Sequence, residues 1–162
     1  MPSAQQDHRG EILDPAECRR LLGTVHVGRL AFTSGAMPTI EPVWFRLHGD
    51  AVAIPAVPGT PMVSGARGAV VAFQVDCLHD RLPTAWSITV VGPSRVVCDP
   101  AETQELDGLD WPACARSTER CYVLVAMGRV KGWRTEPVAQ DDGVGPRLIG
   151  TGHSSSLARP AR

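Results

Sequence analysis

Residues 25–56 read VHVGRLAFTSGAMPTIEPVWFRLHGDAVAIPA, and this stretch is the most informative about the fold. Apolar and β-branched residues recur around two turn sequences, Ser34-Gly35 and His48-Gly49-Asp50. The pattern predicts three antiparallel strands, over residues 25–33, 39–47 and 51–56. In the first strand both alternating sets of residues contain apolar side chains, so we expect both of its faces to be covered.

Three further strands are predicted downstream, each an apolar run bounded by turn residues, over 69–75, 86–97 and 121–127, the second of them broken at Gly92-Pro93. The capping sequence Asp-Pro-Ala-Glu occurs at residues 14–17 and 99–102 and predicts two short helices, the second within a helical stretch from Pro100 to about Arg120. A third helical turn is expected to begin at Thr60-Pro61. Six strands and three short helices indicate a mainly β fold, a small antiparallel barrel, because closing the sheet removes exposed edges.

The length of the chain and its charge restrict the number of domains and the kinds of binding partner. The chain has 162 residues, the size of one domain, with 16 basic and 17 acidic side chains. Because no net field attracts polyanions, we expect no nucleic-acid partner and no membrane partner. Residues 1–12 are polar and aperiodic and are predicted to be a flexible arm, 13–138 the folded domain, and 139–162, rich in Gly, Ser, Pro and Arg, a disordered tail.

The cysteines and the N-terminus indicate a cytoplasmic protein. Five cysteines occur without a Cys-x-x-Cys pair, which favours reduced thiols over disulfides or zinc. The first residues carry no apolar leader segment, and no run of 18 apolar residues occurs. The run Asp76-Cys77-Leu78-His79-Asp80 contains ligand types but has the spacing of no closed zinc site. We therefore predict no metal site.

Six strings in order resemble the pyridoxamine 5′-phosphate oxidase-like superfamily of split-barrel flavin proteins. They are Val27-Gly28-Arg29-Leu30-Ala31, Glu41-Pro42-Val43-Trp44-Phe45, Pro58-Gly59-Thr60, residues 71–76 (VAFQVD), Ala85-Trp86-Ser87-Ile88 and Gly128-Arg129. The resemblance covers about residues 14–134. It implies a six-stranded split barrel, a homodimer with FMN or a deazaflavin in a cleft shared by both subunits, and an oxidoreductase acting on an unknown small molecule.

The resemblance also implies which residues contact the cofactor. Trp44-Phe45 stands where relatives often have Asn-Tyr, beside the expected flavin ring, and Ala85-Trp86-Ser87 stands where they have Gly-Trp-Ser. No catalytic side chain is implied, since the cofactor itself carries hydride transfer. The candidate cofactor contacts are Trp44, Phe45, Gly59, Thr60, Arg67, Trp86, Ser87 and Arg129.

Two prolines depart from the family pattern. Pro55 and Pro61 stand where flavin-binding relatives are expected to have an arginine and a lysine. Proline offers a phosphate neither charge nor a backbone donor, so we expect weak FMN binding unless Arg67 compensates. The alternatives are a cofactor-free split-barrel protein with a degenerate flavin site, and a haem or tetrapyrrole binder with an axial ligand from one of the histidines. These histidines are His26, His48 and His79.

Overall fold

The computed structural model describes residues 10–78, 84–115 and 121–135. In these ranges it contains nine strands, three α-helices and one 3₁₀ turn. They are β1 (Glu11–Leu13), α1 (Pro15–Leu22), β2 (Val27–Ser34), β3 (Met37–Trp44), β4 (Arg46–His48), β5 (Ala51–Ala56), α2 (Pro61–Ala66), β6 (Val70–Cys77), β7 (Trp86–Val97), α3 (Pro100–Asp107), the 3₁₀ turn Ala113–Ala115, β8 (Cys121–Ala126) and β9 (Arg129–Arg134).

The helices begin where the capping sequences predict. The Asp14 carboxylate accepts the Glu17 N–H at 2.8 Å to begin α1, and the Asp99 carboxylate accepts the Ala101 N–H at 2.8 Å to begin α3. The expected extension of α3 to about residue 120 is wrong. The helix ends at Gly108, and the Trp111 indole then folds back and donates to the Leu106 carbonyl at 2.7 Å.

The strands form one mainly antiparallel sheet in the order β3-β2-β6-β7-β8-β5-β4, and β9 pairs with both β7 and β1. The two ends of this order, β3 and β4, are separated in sequence by Phe45 alone. The hydrogen-bonded path is open, but the covalent chain joins its two edges through that one residue. The predicted mainly β, antiparallel split-barrel class is confirmed.

The described residues contain nine strands where the sequence predicts six. The predicted strand over 39–47 divides at Phe45 into β3 and β4. β1 and β9 pair with each other, and this long-range pairing places residues 11 and 12 in a strand instead of the predicted arm. The remainder of that arm, residues 1–9, and the predicted tail, residues 139–162, lie outside the described residues.

The sequence predicts a break of the long strand at Gly92-Pro93, but β7 continues through these residues and changes its neighbouring strand there. β7 pairs with β9 from Trp86 to Val91 and with β8 from Ser94 to Val97, without interruption. A Cβ at Gly92 would lie 2.0 Å from the Ala126 carbonyl oxygen. Only glycine permits this approach, which lets one strand serve both halves of the sheet.

The core has two parts. The larger fills the barrel and includes the fully buried side chains of Leu30, Phe45 and Phe73. The smaller lies beneath α3, where the Trp111 and Tyr122 rings pack with centroids 5.8 Å apart. None of the helices in the described ranges is long and apolar enough to cross a membrane.

Candidate cofactor-binding cleft

A cleft of about 290 Å³ opens where β3 and β5 end and α2 begins. Its size is close to the lower end of the range for small-molecule sites, about 300 to 1,000 Å³. Most of its wall is apolar, and Glu41 is the one charged residue that the described part of the chain contributes to the lining. The lining also includes the side chains of Trp44, Pro55, Thr60, Met62 and Cys114.

The turn between β5 and α2 shapes the floor of the cleft. Gly59 has a φ of +82°, in the left-handed region that glycine adopts without strain. The Thr60 hydroxyl donates to the Val57 carbonyl at 2.9 Å. Thr60 occupies the N-cap position of α2, as expected, but its hydroxyl stabilises the turn and makes no capping bond. Thr60 lines the cleft with its neighbour Gly59 exposed beside it.

Trp44 and Phe45, adjacent in sequence, have opposite environments. Trp44 ends β3 opposite Val27, is 37% exposed and lines the cleft. Phe45 is fully buried and contacts Phe73 edge to face, so it lies in the core and outside the cleft lining. The structure therefore brings Trp44 and Thr60 together and separates Phe45 from them.

Trp86 and Ser87 point to opposite faces of β7. Trp86 is buried in the barrel core, and Ser87 accepts a hydrogen bond from the Gln74 side chain at 3.3 Å on the outer face. Neither residue lines the cleft. Ser87 does share the outer face of the sheet with Trp44, because alternation along β2 and β6 connects the Val27–Trp44 pair to the Asp76–Ser87 pair.

The two candidate arginines also lie outside the cleft lining. Arg67 follows α2, is exposed and has no ion-pair partner among the described residues. Arg129 is exposed on β9 opposite Val91. Pro55 is part of the cleft wall, and Pro61 is exposed in the first turn of α2. The lining of the cleft therefore contains no cation from the described residues.

This lining fits one part of a flavin better than the other. Trp44, Pro55 and Met62 offer apolar surface for a ring system. A phosphate needs cations or preorganised donors, and the one charge that the described residues place in the wall is the carboxylate of Glu41, which repels it. The described residues of one subunit therefore suit the ring and offer the phosphate no cation.

Sequence reasoning missed part of the wall. Cys114 and Ala115 reach the cleft from the 3₁₀ turn, in a segment predicted to be the end of a helix. Their place depends on how Trp111 reverses the chain after α3, a tertiary contact with no local sequence signal.

Neither of the two candidate haem ligands that the structure describes, His26 and His48, lines this cleft. His26 is exposed, and the His48 ring lies 3.7 Å from the Glu105 carboxylate and outside the lining. His79 lies outside the described residues. In the part of the chain that the structure describes, no three His, Cys, Asp or Glu side chains gather as a metal site.

Comparison with known proteins agrees with a split barrel. Residues 14–128 match the family model described as pyridoxamine 5′-phosphate oxidase, and the chain belongs to that family. It is 38% identical over 106 residues to the uncharacterized protein Rv0080 of Mycobacterium tuberculosis, across 62% of this chain and 69% of that one.

Two solved structures are similar in fold. The FAD binding protein from Mycobacterium smegmatis has a TM-score of 0.64 and 30% identity, over 77% of this chain and 97% of that one. A putative pyridoxamine 5′-phosphate oxidase from Corynebacterium glutamicum has a TM-score of 0.67 and 22% identity, over 82% of this chain and 98% of that one.

Proposed function

We propose that the protein is a flavin- or deazaflavin-dependent oxidoreductase acting on a small molecule, with the cofactor ring in the cleft beside Trp44. The observation that carries the proposal is the apolar cleft next to the Pro58-Gly59-Thr60 turn, in a chain of this family. The M. smegmatis protein that is 30% identical to it binds FAD. A bound flavin would supply hydride transfer, and the protein would orient the ring and exclude water.

The affinity for this cofactor should come mainly from the ring. Pro55 lies in the wall where a phosphate-binding cation would stand, and Glu41 adds a negative charge. We therefore expect the phosphate of FMN to contribute little within one subunit. Because no described residue of the wall supplies a cation, the phosphates of a deazaflavin or FAD would need one from elsewhere, such as Arg67, Arg129 or a second copy.

We also propose that the active form is a cytoplasmic homodimer. The outer face of β2, β3 and β6 exposes Val27, Ile40 and Val70, which alternation along the strands puts on one side of the sheet. Ile40 is 66% exposed, and a second copy would cover this apolar surface. Trp44 belongs to both this face and the cleft, so a partner on the face would also border the cofactor.

The second candidate function is that of a cofactor-free split-barrel protein that binds another small molecule. The absence of cations from the described lining favours it over FMN chemistry. Binding of haem has less support, because neither described histidine lines the cleft.

An absorption spectrum of the purified full-length protein separates these functions. The proposal predicts flavin or deazaflavin bands, either as purified or after the cofactor is added and the excess removed. A Soret band would point to haem. Protein absorbance alone after incubation with riboflavin, FMN, FAD and a deazaflavin would favour the cofactor-free alternative.

A further inference from the structure

Cys98 and Cys121 lie opposite each other where β7 ends and β8 begins. The two strands pair in antiparallel register, and the last pair is Val97 with Tyr122. One step further along this register, Cys98 faces Cys121. Opposite residues of an antiparallel pair have Cα atoms about 4.5 or 5.5 Å apart. Disulfides span about 4.4 to 6.8 Å between Cα atoms. The register, continued by one residue, therefore implies the Cα spacing of a disulfide, and the two thiols are close enough to hydrogen-bond.

The two thiols share one face of the sheet and differ in access to solvent. Cys121 is fully buried in the barrel core, where its thiol contacts the Ala56 carbonyl at 3.6 Å, and Cys98 is exposed. Burial, with a smaller effect of the neighbouring Cys98 thiol, raises the pKa of Cys121 to about 11. Cys121 is therefore protonated at neutral pH, and an oxidant from solution meets Cys98 first.

The other described cysteines lack this arrangement. Cys77 lies opposite Trp86 in β6 and β7. Cys18 is buried in α1 and contacts the Leu13 carbonyl, and Cys114 is exposed in the 3₁₀ turn. Of the five cysteines, all of which are described, Cys98 and Cys121 are thus the one pair that faces across neighbouring strands.

We propose that Cys98 and Cys121 form a two-thiol redox site that a hydroperoxide oxidises to an intramolecular disulfide. In the first step, the Cys98 sulfur attacks hydrogen peroxide, the O–O bond breaks, and a sulfenic acid and one water form. In the second, the Cys121 sulfur displaces hydroxide from the Cys98 sulfur, and the Cys121 proton leaves with it as a second water. The two thiols lose two electrons, and the peroxide gains them.

The site lies directly behind the wall of the cleft. Ala56 pairs with Cys121 in the sheet and also lines the cleft. Disulfide formation removes the hydrogen that Cys121 offers to the Ala56 carbonyl. Oxidation therefore acts on a strand that forms the wall, whichever small molecule the cleft takes.

The test uses the reduced full-length protein, exchanged into buffer without reductant and treated with hydrogen peroxide. Free thiols are then alkylated, and the protein is digested without reduction and mapped by mass spectrometry. We expect a peptide pair joined through Cys98 and Cys121 that dithiothreitol separates. The pair should be lost in Cys98→Ser, an exposed substitution that leaves the core intact, and kept in Cys114→Ser, the matched exposed control.

Three results would overturn the proposal. One is wild-type Cys98 oxidised to sulfinic acid while Cys121 stays unlinked. Another is a Cys98 disulfide that joins two copies and persists in Cys121→Ala. The third is a wild-type protein in which both thiols remain fully alkylatable after peroxide, while circular dichroism shows a native fold.

Discussion

Phe45 contacts Phe73 edge to face, with ring centroids 4.8 Å apart and an interplanar angle of 64°. Phe45 is the single residue between β3 and β4, the two ends of the strand order. Its burial against Phe73 therefore holds the point where the chain crosses from one edge of the sheet to the other. Because neighbouring residues alternate in direction here, the same contact directs Trp44 outward to the cleft.

Loss of the Phe45 ring should destabilise the whole barrel. Phe45→Ala is expected to lower the free energy of unfolding by about 3 to 5 kcal/mol, the usual cost of a large cavity in a core. Phe45→Leu, which fills part of the space, should cost clearly less. Urea denaturation followed by circular dichroism measures both. Small and equal losses of unfolding free energy in both variants would show that residues other than Phe45 hold the crossing between the two edges of the sheet.

Restoring cations at the two proline positions should strengthen FMN binding. Charge-assisted hydrogen bonds are worth about 1.5 to 3 kcal/mol each, so Pro55→Arg with Pro61→Lys should tighten FMN binding by roughly two to four decades. Calorimetry at one salt concentration gives the dissociation constants. The control Pro55→Gln with Pro61→Gln changes the backbone equally but adds no charge, and should not tighten binding.

Two results would contradict this prediction. Tight FMN binding by the wild type would mean that cations outside the wall already hold the phosphate. An unresponsive charged double variant, with its fold intact, would mean that the cleft is closed to the ring and would favour the cofactor-free function.

Stability at low pH should depend on Glu17. Its carboxylate accepts from Arg20 at 2.7 Å and from Arg134, and these hydrogen bonds lower its pKa from 4.5 to about 2. The depressed pKa means that its stabilisation is present above about pH 4.5 and is lost as the pH falls towards 2. Denaturant unfolding should show that Glu17→Gln is destabilising at pH 7 and nearly neutral near pH 2.

The matched control for Glu17 is Glu102→Gln. Glu102 pairs with Arg95 at 2.7 Å, but both side chains are more than half exposed, so the pair should contribute little. A Glu17 variant whose destabilisation is the same at both pH values would contradict the assignment to this carboxylate.

The proposed dimer depends on the exposed face of β2, β3 and β6. Ile40→Lys places a charge in the centre of that face and should shift sedimentation from dimer to monomer at micromolar concentration. Met37→Lys is the matched control, since Met37 is 69% exposed but lies at the β2–β3 hairpin turn, on the opposite side of the strand from Ile40. A monomeric wild type would contradict the proposed dimer. A dimeric Ile40→Lys protein would show that the interface lies on another face.

Local sequence patterns predicted the local structure well. Helix starts at Asp14 and Asp99 were correct because a capping carboxylate and a following proline act within one turn. Long-range pairing was harder to foresee. The β1–β9 pair has no local signal, and the split at Phe45 depends on the core position occupied by that ring.

The candidate site was predictable where local sequence patterns determine turns and strand ends. Trp44, Gly59 and Thr60 fall at strand ends and a turn that the sequence marks, and the structure places Trp44 and Thr60 in one cleft. Trp86 lies on a buried strand and Phe45 in a predicted one, and sequence alone does not tell which face an aromatic side chain takes when both faces are apolar. The roles of Arg67, Ser87 and Arg129 in cofactor binding stay predictions.

Riboflavin titration followed by flavin fluorescence is the most direct test of a ring site at Trp44, because riboflavin has the ring without the phosphate. The account predicts saturable quenching by the wild-type protein, binding weakened about fivefold in Trp44→Ala through loss of about 1 kcal/mol of ring contact, and intermediate binding in Trp44→Phe. No quenching by a folded wild-type protein, or tighter binding by Trp44→Ala, would contradict it.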